Sequence, residues 1–258
     1  MRDAMAQALL GEASDPLGRW VWHVYEDLGD SMLAHRPVSA GEIRAAVEVV
    51  AQLHLRFEGH PLIDECRAMC GGRGMEFFDR HVLRAIQQLE LLSSRMSGLT
   101  DGCEDLLNGL VARRDGSADR ARLMREFGGP ATFLHGDLWT SNVCVVPSAD
   151  GHRARLIDWD RAGVGPISYD LSALLRRFER GDRMQILDHY REAVGHANWP
   201  VPSNREMNAL FDTAEHARIA NEVAWLAVAA MQDDAGWAIT ELAGIAVFAG
   251  SLRPLLPD

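Results

Sequence analysis

Strand pattern in this chain gathers almost entirely in one stretch, and that stretch also carries its densest polar residues. Ala131–Leu134, Val143–Val146 and Ala154–Ile157 read as strands, the last two joined by the turn Pro147-Ser-Ala-Asp-Gly151. Helical periodicity fills most of the remainder. Ile43, Val47, Val50, His54 and Phe57 follow the capping box Ser39-Ala-Gly-Glu42 at helical spacing. Further helical pattern covers 75–94, 103–114, 118–127, 169–180, 183–196, 203–231 and 235–250, with a second capping box at Ser203-Asn-Arg-Glu206. Near the N-terminus, residues 2–10 read as a short helix. Arg19–Glu26 reads as a strand with Trp20, Trp22 and Val24 on one face. The expectation is an α+β chain: a mainly helical body with a small β-hairpin near its middle.

Composition narrows the functions open to such a body. The 258 residues are 47% hydrophobic, enough for a sizeable core. Twenty-six basic residues against 37 acidic ones give a formal charge of −11, which argues against general nucleic-acid binding and suits a cationic small molecule. The longest apolar run, Val223–Met231, is nine residues, far short of a membrane span. Met1–Asp15 carries a single Arg and is too weak for a signal peptide, so the chain reads as cytoplasmic. Cys66, Cys70, Cys103 and Cys144 lack zinc-site spacing and read as buried or idle thiols.

The polar residues of the strand-rich stretch have a chemistry in common. His135-Gly-Asp137-Leu-Trp-Thr-Ser-Asn142 lies between the first two strands, and Ile157-Asp158-Trp-Asp160 ends the third. Asp137, Asn142 and Asp158 can therefore converge. One carboxylate can take a proton from a hydroxyl, while an amide oxygen and a second carboxylate hold Mg²⁺ against phosphates. The spacing H-x-D-L-x-x-x-N is that of the protein-kinase catalytic loop, with Gly in place of its Arg. Other glycine-rich pieces fit no phosphate loop: Gly71-Gly-Arg-Gly74 reads as a plain loop, and Gly163-Val-Gly165 lacks a surrounding βαβ unit.

FLHGDLWTSNV followed by RLIDWDRAGVGPISYDLS resembles the paired signature of the aminoglycoside phosphotransferase and choline kinase superfamily, and HGDLW is also similar to fructosamine kinases. The resemblance runs from about Val24 to the C-terminus. It implies a protein-kinase-like fold and ATP-dependent phosphoryl transfer to a hydroxyl of a small, amine-bearing molecule. Asp137 resembles the catalytic base, with His135 supporting its loop. Asn142 and Asp158 resemble the Mg²⁺ ligands, and Asp170 the structural Asp that braces the loop. Glu26, Asp27 and Leu28 resemble the hinge whose backbone meets adenine. In the acceptor cleft the family's geometry points to Trp139, Glu215, Glu222, Trp225, Asp233 and Asp234, where carboxylates and aromatics could hold an amine.

The N-terminus departs from that pattern. Kinase-like folds carry a small β lobe with a phosphate-covering loop and a lysine. Here about 25 residues precede the hinge, no GxGxxG occurs, and every basic residue is arginine, leaving Arg2 or Arg19 as substitutes. The expected division is a remnant of the N-terminal lobe and hinge over 1–30 and a helical C-terminal lobe over 31–258. The main functional reading is a working phosphotransferase with ATP and Mg²⁺; the alternative is a catalytically impaired kinase-like binding or scaffold protein, or a fragment of a longer kinase. An uncovered face bearing Trp20 and Trp22 would favour a homodimer.

Overall fold

A computed structural model describes residues 5–17, 19–34, 37–96, 101–149, 151–200, 202–232 and 235–257. The chain opens with an antiparallel hairpin of β1 (Leu9–Ser14) and β2 (Val21–Tyr25), then enters α1 (Ala40–Phe57). Four helices follow: α2 (Ile63–Cys70), α3 (Met75–Met96), α4 (Asp101–Asp115) and α5 (Ser117–Phe127). The central strands are β3 (Thr132–Leu134), β4 (Val143–Ser148), β5 (Gly151–Leu156) and β6 (Gly163–Gly165). After them come α6 (Ser168–Arg176), α7 (Arg183–Ala193), α8 (Asn204–Gln232) and α9 (Gly236–Ser251). The result is α+β: a helical large lobe around small two-stranded sheets, β1–β2, β3–β6 and β4–β5.

Local sequence explains the helix starts. At α1, the Ser39 side chain accepts from the Glu42 amide while Glu42 reaches back to the Ser39 amide at 2.8 Å. Ser203 and Glu206 repeat the reciprocal pair at the start of α8. Helix α8 buries residues around much of its circumference, as a central helix with small apolar residues on several faces should. It runs through two packed regions. One gathers α1, α6, α7 and the β4–β5 hairpin with Leu255 and Leu256; the other gathers α3, α4, α8 and α9. Among the described residues no helix is long and apolar enough to cross a membrane. The four cysteines form no disulfide, and Cys103 and Cys144 are buried.

The N-terminal segment differs from its expected helix. Leu9–Ser14 is a strand, and Ala6 makes a parallel bridge to Leu156, with the Leu156 amide donating to the Met5 carbonyl at 2.8 Å. A nine-residue helix is marginal alone, whereas the alternating VWHVY strand offers an immediate ladder partner. Both faces of this hairpin are exposed, Trp20 and Trp22 included. Strand β6 had no counterpart in the sequence. It matters because its pairing with β3 draws the two polar loops together.

Candidate active site

The site is built on two loops that cross between the β3–β6 and β4–β5 sheets. Residues 135–142 run from β3 to β4, ending in a 3-10 turn at Thr140–Asn142, and residues 157–162 run from β5 to β6. Beneath them lies Asp170, fully buried on α6. Its Oδ2 accepts from the His135 amide and its Oδ1 from the Gly136 amide, both at 2.8 Å. The ring Nε2 of His54, on α1, sits 3.2 Å from Oδ2. Burial alone would raise this carboxyl, but His54, then His135 and the Gly136 amide, hold it below the usual Asp value. The other nitrogen of His54 lies 2.8 Å from the Tyr190 hydroxyl. A chain Tyr190–His54–Asp170 thus ends on two consecutive backbone amides of the loop.

That loop turns at Gly136, where φ is +82° and a Cβ would sit 1.9 Å from the Arg161 carbonyl oxygen. Only glycine permits this backbone contact. His135 completes the turn: its Nε2 donates to the Ile157 carbonyl at 2.8 Å, leaving Nδ1 to accept from the Asp137 amide at 3.3 Å. The indole of Trp159 packs on the His135 ring, centroids 4.7 Å apart. His135 therefore joins the two loops.

Asp137, at the surface of this scaffold, is held by both oxygens. The Trp139 indole N–H donates to Oδ1 at 2.7 Å, and the Asn142 amide lies 3.3 Å from Oδ2 and 2.8 Å from the Asp137 carbonyl. Each carboxylate oxygen keeps a lone pair for a substrate hydroxyl. With its nitrogen committed to Asp137, Asn142 has Oδ1 left for a cation. Asp158 adopts φ +63°, a left-handed conformation that Asp tolerates. Burial, then the neighbouring carboxylates of Asp160 and Asp137, push its carboxyl above the usual value. Such mutual repulsion is what a bound cation relieves. Among the described residues no three His, Cys, Asp or Glu side chains enclose a metal. Mg²⁺ is ordinarily held by one or two side chains and completed by phosphate oxygens, and Asn142 with Asp158 fits that mode.

A third loop, Gly71–Gly74, straps the site from outside. The Arg73 amide donates to the Val164 carbonyl at 2.7 Å, and its guanidinium to the carbonyls of Arg161 and Ala162 at 3.0 and 3.1 Å. Nothing local marks this segment as more than a loop, because its partner strand β6 has no sequence signal of its own.

Beside Asp137 opens a cleft of about 290 Å³, lined by Trp139, Arg161, Arg177, Glu222 and Phe248 among others. The expected acceptor residues fare unequally there. Glu215 is buried, paired with Arg218 and lying 3.3 Å from Arg176 Nε. Burial would raise its carboxyl, yet the two arginines hold it low, so it is already neutralised. The Trp139 ring face is covered by the Arg177 guanidinium at 3.8 Å. In both places arginines of this chain already engage the groups expected to hold an amine. Glu222 lies in the cleft and is exposed, whereas Trp225 is exposed against Trp237, 5.6 Å away. Asp233 and Asp234 lie outside the described residues. Arg161 and Arg177 were not foreseen; the signal available was position, one directly after Asp160 and the other two helical turns beyond Asp170.

At the expected hinge, the Glu26 backbone already has partners. Its amide donates to the Ala8 carbonyl at 2.9 Å and its carbonyl accepts from the Gln7 side chain at 3.2 Å, so its backbone is already used. Asp27 accepts from the Gly29 amide at 2.8 Å, and Leu28 is partly buried. Beyond the hinge, Ser31 and Leu33 are stitched to β4 through Val145 and Val143. Arg19, one substitute for a phosphate-gripping lysine, is taken by Asp15 at 2.7 Å; Arg2 lies outside the described residues.

Two strand-tethered loops over a buried Asp, carrying Asp137, Asn142 and Asp158, define a kinase-like phosphotransferase. Solved structures share the fold. A mutant of aminoglycoside 2'-phosphotransferase-IIIa in its GDP complex superposes with TM-score 0.65 at 13% identity, over 96% of this chain and 75% of that one. Plasmodium vivax ethanolamine kinase gives 0.59 at 12%, over 97% and 68%. An aminoglycoside phosphotransferase from Streptomyces rimosus, solved with ADP and streptomycin, gives 0.52 at 17%, over 85% and 76%. At these identities the likeness is one of fold. No curated protein matches the chain in sequence. Residues 3–203 match the sequence model of the phosphotransferase enzyme family, APH, and the chain belongs to that family. It is a kinase-type phosphotransferase enzyme for small molecules.

Proposed function

We propose that this enzyme transfers the γ-phosphoryl group of ATP to a hydroxyl of a small molecule, with Asp137 as the group that receives the hydroxyl proton. The observation that carries this reading is the posture of Asp137. Its two oxygens are fixed by Trp139 and Asn142 while its backbone is fixed through His135 and Asp170. A carboxylate held in this way orients a hydroxyl without reorganising, which is most of what phosphoryl transfer asks of a protein. The acceptor oxygen forms a bond to the γ-phosphorus as the bond to the β,γ-bridging oxygen breaks. ADP departs with that electron pair, and the hydroxyl proton passes to Asp137.

Asn142 Oδ1 and the Asp158 carboxylate are the groups that would hold Mg²⁺. When bound, the ion neutralises phosphate charge. Asp158 gains a counter-charge there for a carboxyl that Asp160 and Asp137 otherwise crowd. His135 and Asp170 act through Asp137 and are positioning residues. The cytoplasm, where ATP is abundant, is the compartment this reading requires.

Calorimetric titration with ATP, with and without Mg²⁺, tests nucleotide use. Magnesium-dependent binding that disappears in Asp158→Ala is the expected result. Absence of binding at millimolar ATP contradicts it.

A further inference from the structure

The charge lining the cleft beside Asp137 bears on which hydroxyl compound fits it. Three arginines line that cleft: Arg161, Arg177 and Arg218. Arg218 is spent, since it pairs with buried Glu215 and donates to the Tyr169 carbonyl at 2.7 Å. Arg161 and Arg177 are exposed, and among the described residues neither has an ion-pair partner. Both are nevertheless placed. Arg177 lies over the Trp139 ring at 3.8 Å, and that indole is bonded to Asp137. The Arg161 carbonyl receives the Arg73 guanidinium at 3.0 Å, which fixes the backbone from which its side chain extends.

The groups that could attract a cation are correspondingly depleted. Glu215 is neutralised by Arg218 and Arg176, and the Trp139 π-face carries Arg177. Apart from Asp137, Glu222 is the remaining carboxylate of the lining. An ammonium group entering here would meet two guanidinium groups; a carboxylate or phosphate would meet two planar donor forks suited to bidentate pairing.

We propose that the acceptor hydroxyl compound bears an anionic group, a carboxylate or phosphate, bound by Arg161 and Arg177 next to Asp137. This rests on the phosphotransfer reading above and names its substrate class. The acceptor is thus a hydroxy acid or a phosphorylated alcohol, with the anion toward the arginines and the hydroxyl toward Asp137.

The test follows ADP release with Mg²⁺-ATP and three acceptors of comparable size: glycerate, glycerol and choline. Glycerate is expected to exceed the other two in kcat/KM by about ten- to hundredfold, the range of one or two charge-assisted hydrogen bonds. Arg177→Gln should abolish that preference while changing KM for ATP less than about twofold. Choline or glycerol as the best acceptor would overturn the proposal and leave phosphotransfer standing. So would an Arg177→Gln variant that loses ATP affinity and keeps acceptor affinity, because the anion bound would then be the nucleotide's own phosphate. If no acceptor elicits ADP release, the phosphotransfer reading fails first. Calorimetry with glycerate and choline then decides the cleft separately: glycerate binding lost in Arg177→Gln supports the proposal, and choline binding or no binding overturns it.

Discussion

The buried carboxylate of Asp170 meets the backbone amide of Gly136 at 2.8 Å across 34 residues of chain, and one position earlier its other oxygen takes the amide of His135. A side chain on α6 thereby sets the direction in which Asp137 leaves the loop. Because Asp170 is buried and charge-assisted, replacing it by Asn forces one amide N–H to face a donor. Asp170→Asn is expected to destabilise the fold by about 2–4 kcal/mol, as removal of one partner from a buried charged network does. Urea denaturation would register this as a lower midpoint at unchanged slope. Turnover should fall by about a hundredfold or more even where the variant is fully folded.

Gly136 makes a sharper prediction, because space and conformation both exclude a side chain there. A Cβ would lie 1.9 Å from the Arg161 carbonyl, and φ is +82°. Gly136→Ala must shift the catalytic loop away from residues 161–162. The expected outcome is loss of activity with a cost of about 1–3 kcal/mol in stability, measured by thermal unfolding and ADP release on the same preparation.

How far the sequence led can be judged from particular elements. The helices 40–57, 75–96 and 101–115 through 204–232 were legible within a few residues, because their apolar stripes and two capping boxes are local signals. The loops carrying Asp137, Asn142 and Asp158 were legible because polar residues cluster there. Strand β6 was not: Gly163-Val-Gly165 has neither length nor alternation, and it is a strand only because β3 lies beside it. The same holds for Arg73, whose role depends on carbonyls nearly 90 residues away. The N-terminal helix was misread because propensity over nine residues is weaker than pairing with β2. That Glu215 and Trp139 are already engaged was illegible for a comparable reason, since nothing in their local sequence shows Arg176, Arg218 or Arg177 closing over them.

Arg73 offers a test of the strap. Its guanidinium bonds two adjacent carbonyls, a geometry that a point-charge ammonium does not reproduce. Arg73→Ala should lower kcat by about tenfold or more with little change in KM for ATP, and Arg73→Lys should restore little of it. A variant with unchanged kcat would mean that the 161–165 segment holds its place unaided.

His81 predicts the acid limb of the stability curve. It lies on α3 against Phe77, ring centroids 4.2 Å apart, with its Nδ1 buried and unpartnered. Burial, then the charges of Arg80, Arg84 and Arg73, push its imidazolium pKa down to about 4. The unfolded chain, near 6.5, binds this proton more readily, so stability present above pH 6.5 is lost as the pH falls toward 4. Allowing for partial exposure, the loss is of order 1–3 kcal/mol. Denaturation midpoints between pH 7 and 4 should show the slope in the wild type and a shallower one in His81→Phe.

The most direct measurement compares ADP release by the wild type and Asp137→Asn, with Mg²⁺-ATP and hydroxyl acceptors spanning anionic, neutral and cationic compounds. Wild-type turnover that falls by about 10²–10⁴ in the variant, with its circular dichroism and melting temperature retained, is the predicted result. Undiminished turnover in Asp137→Asn, or a folded wild-type chain that passes phosphate to none of these acceptors, would contradict the assignment of Asp137 as the group at which the hydroxyl reacts.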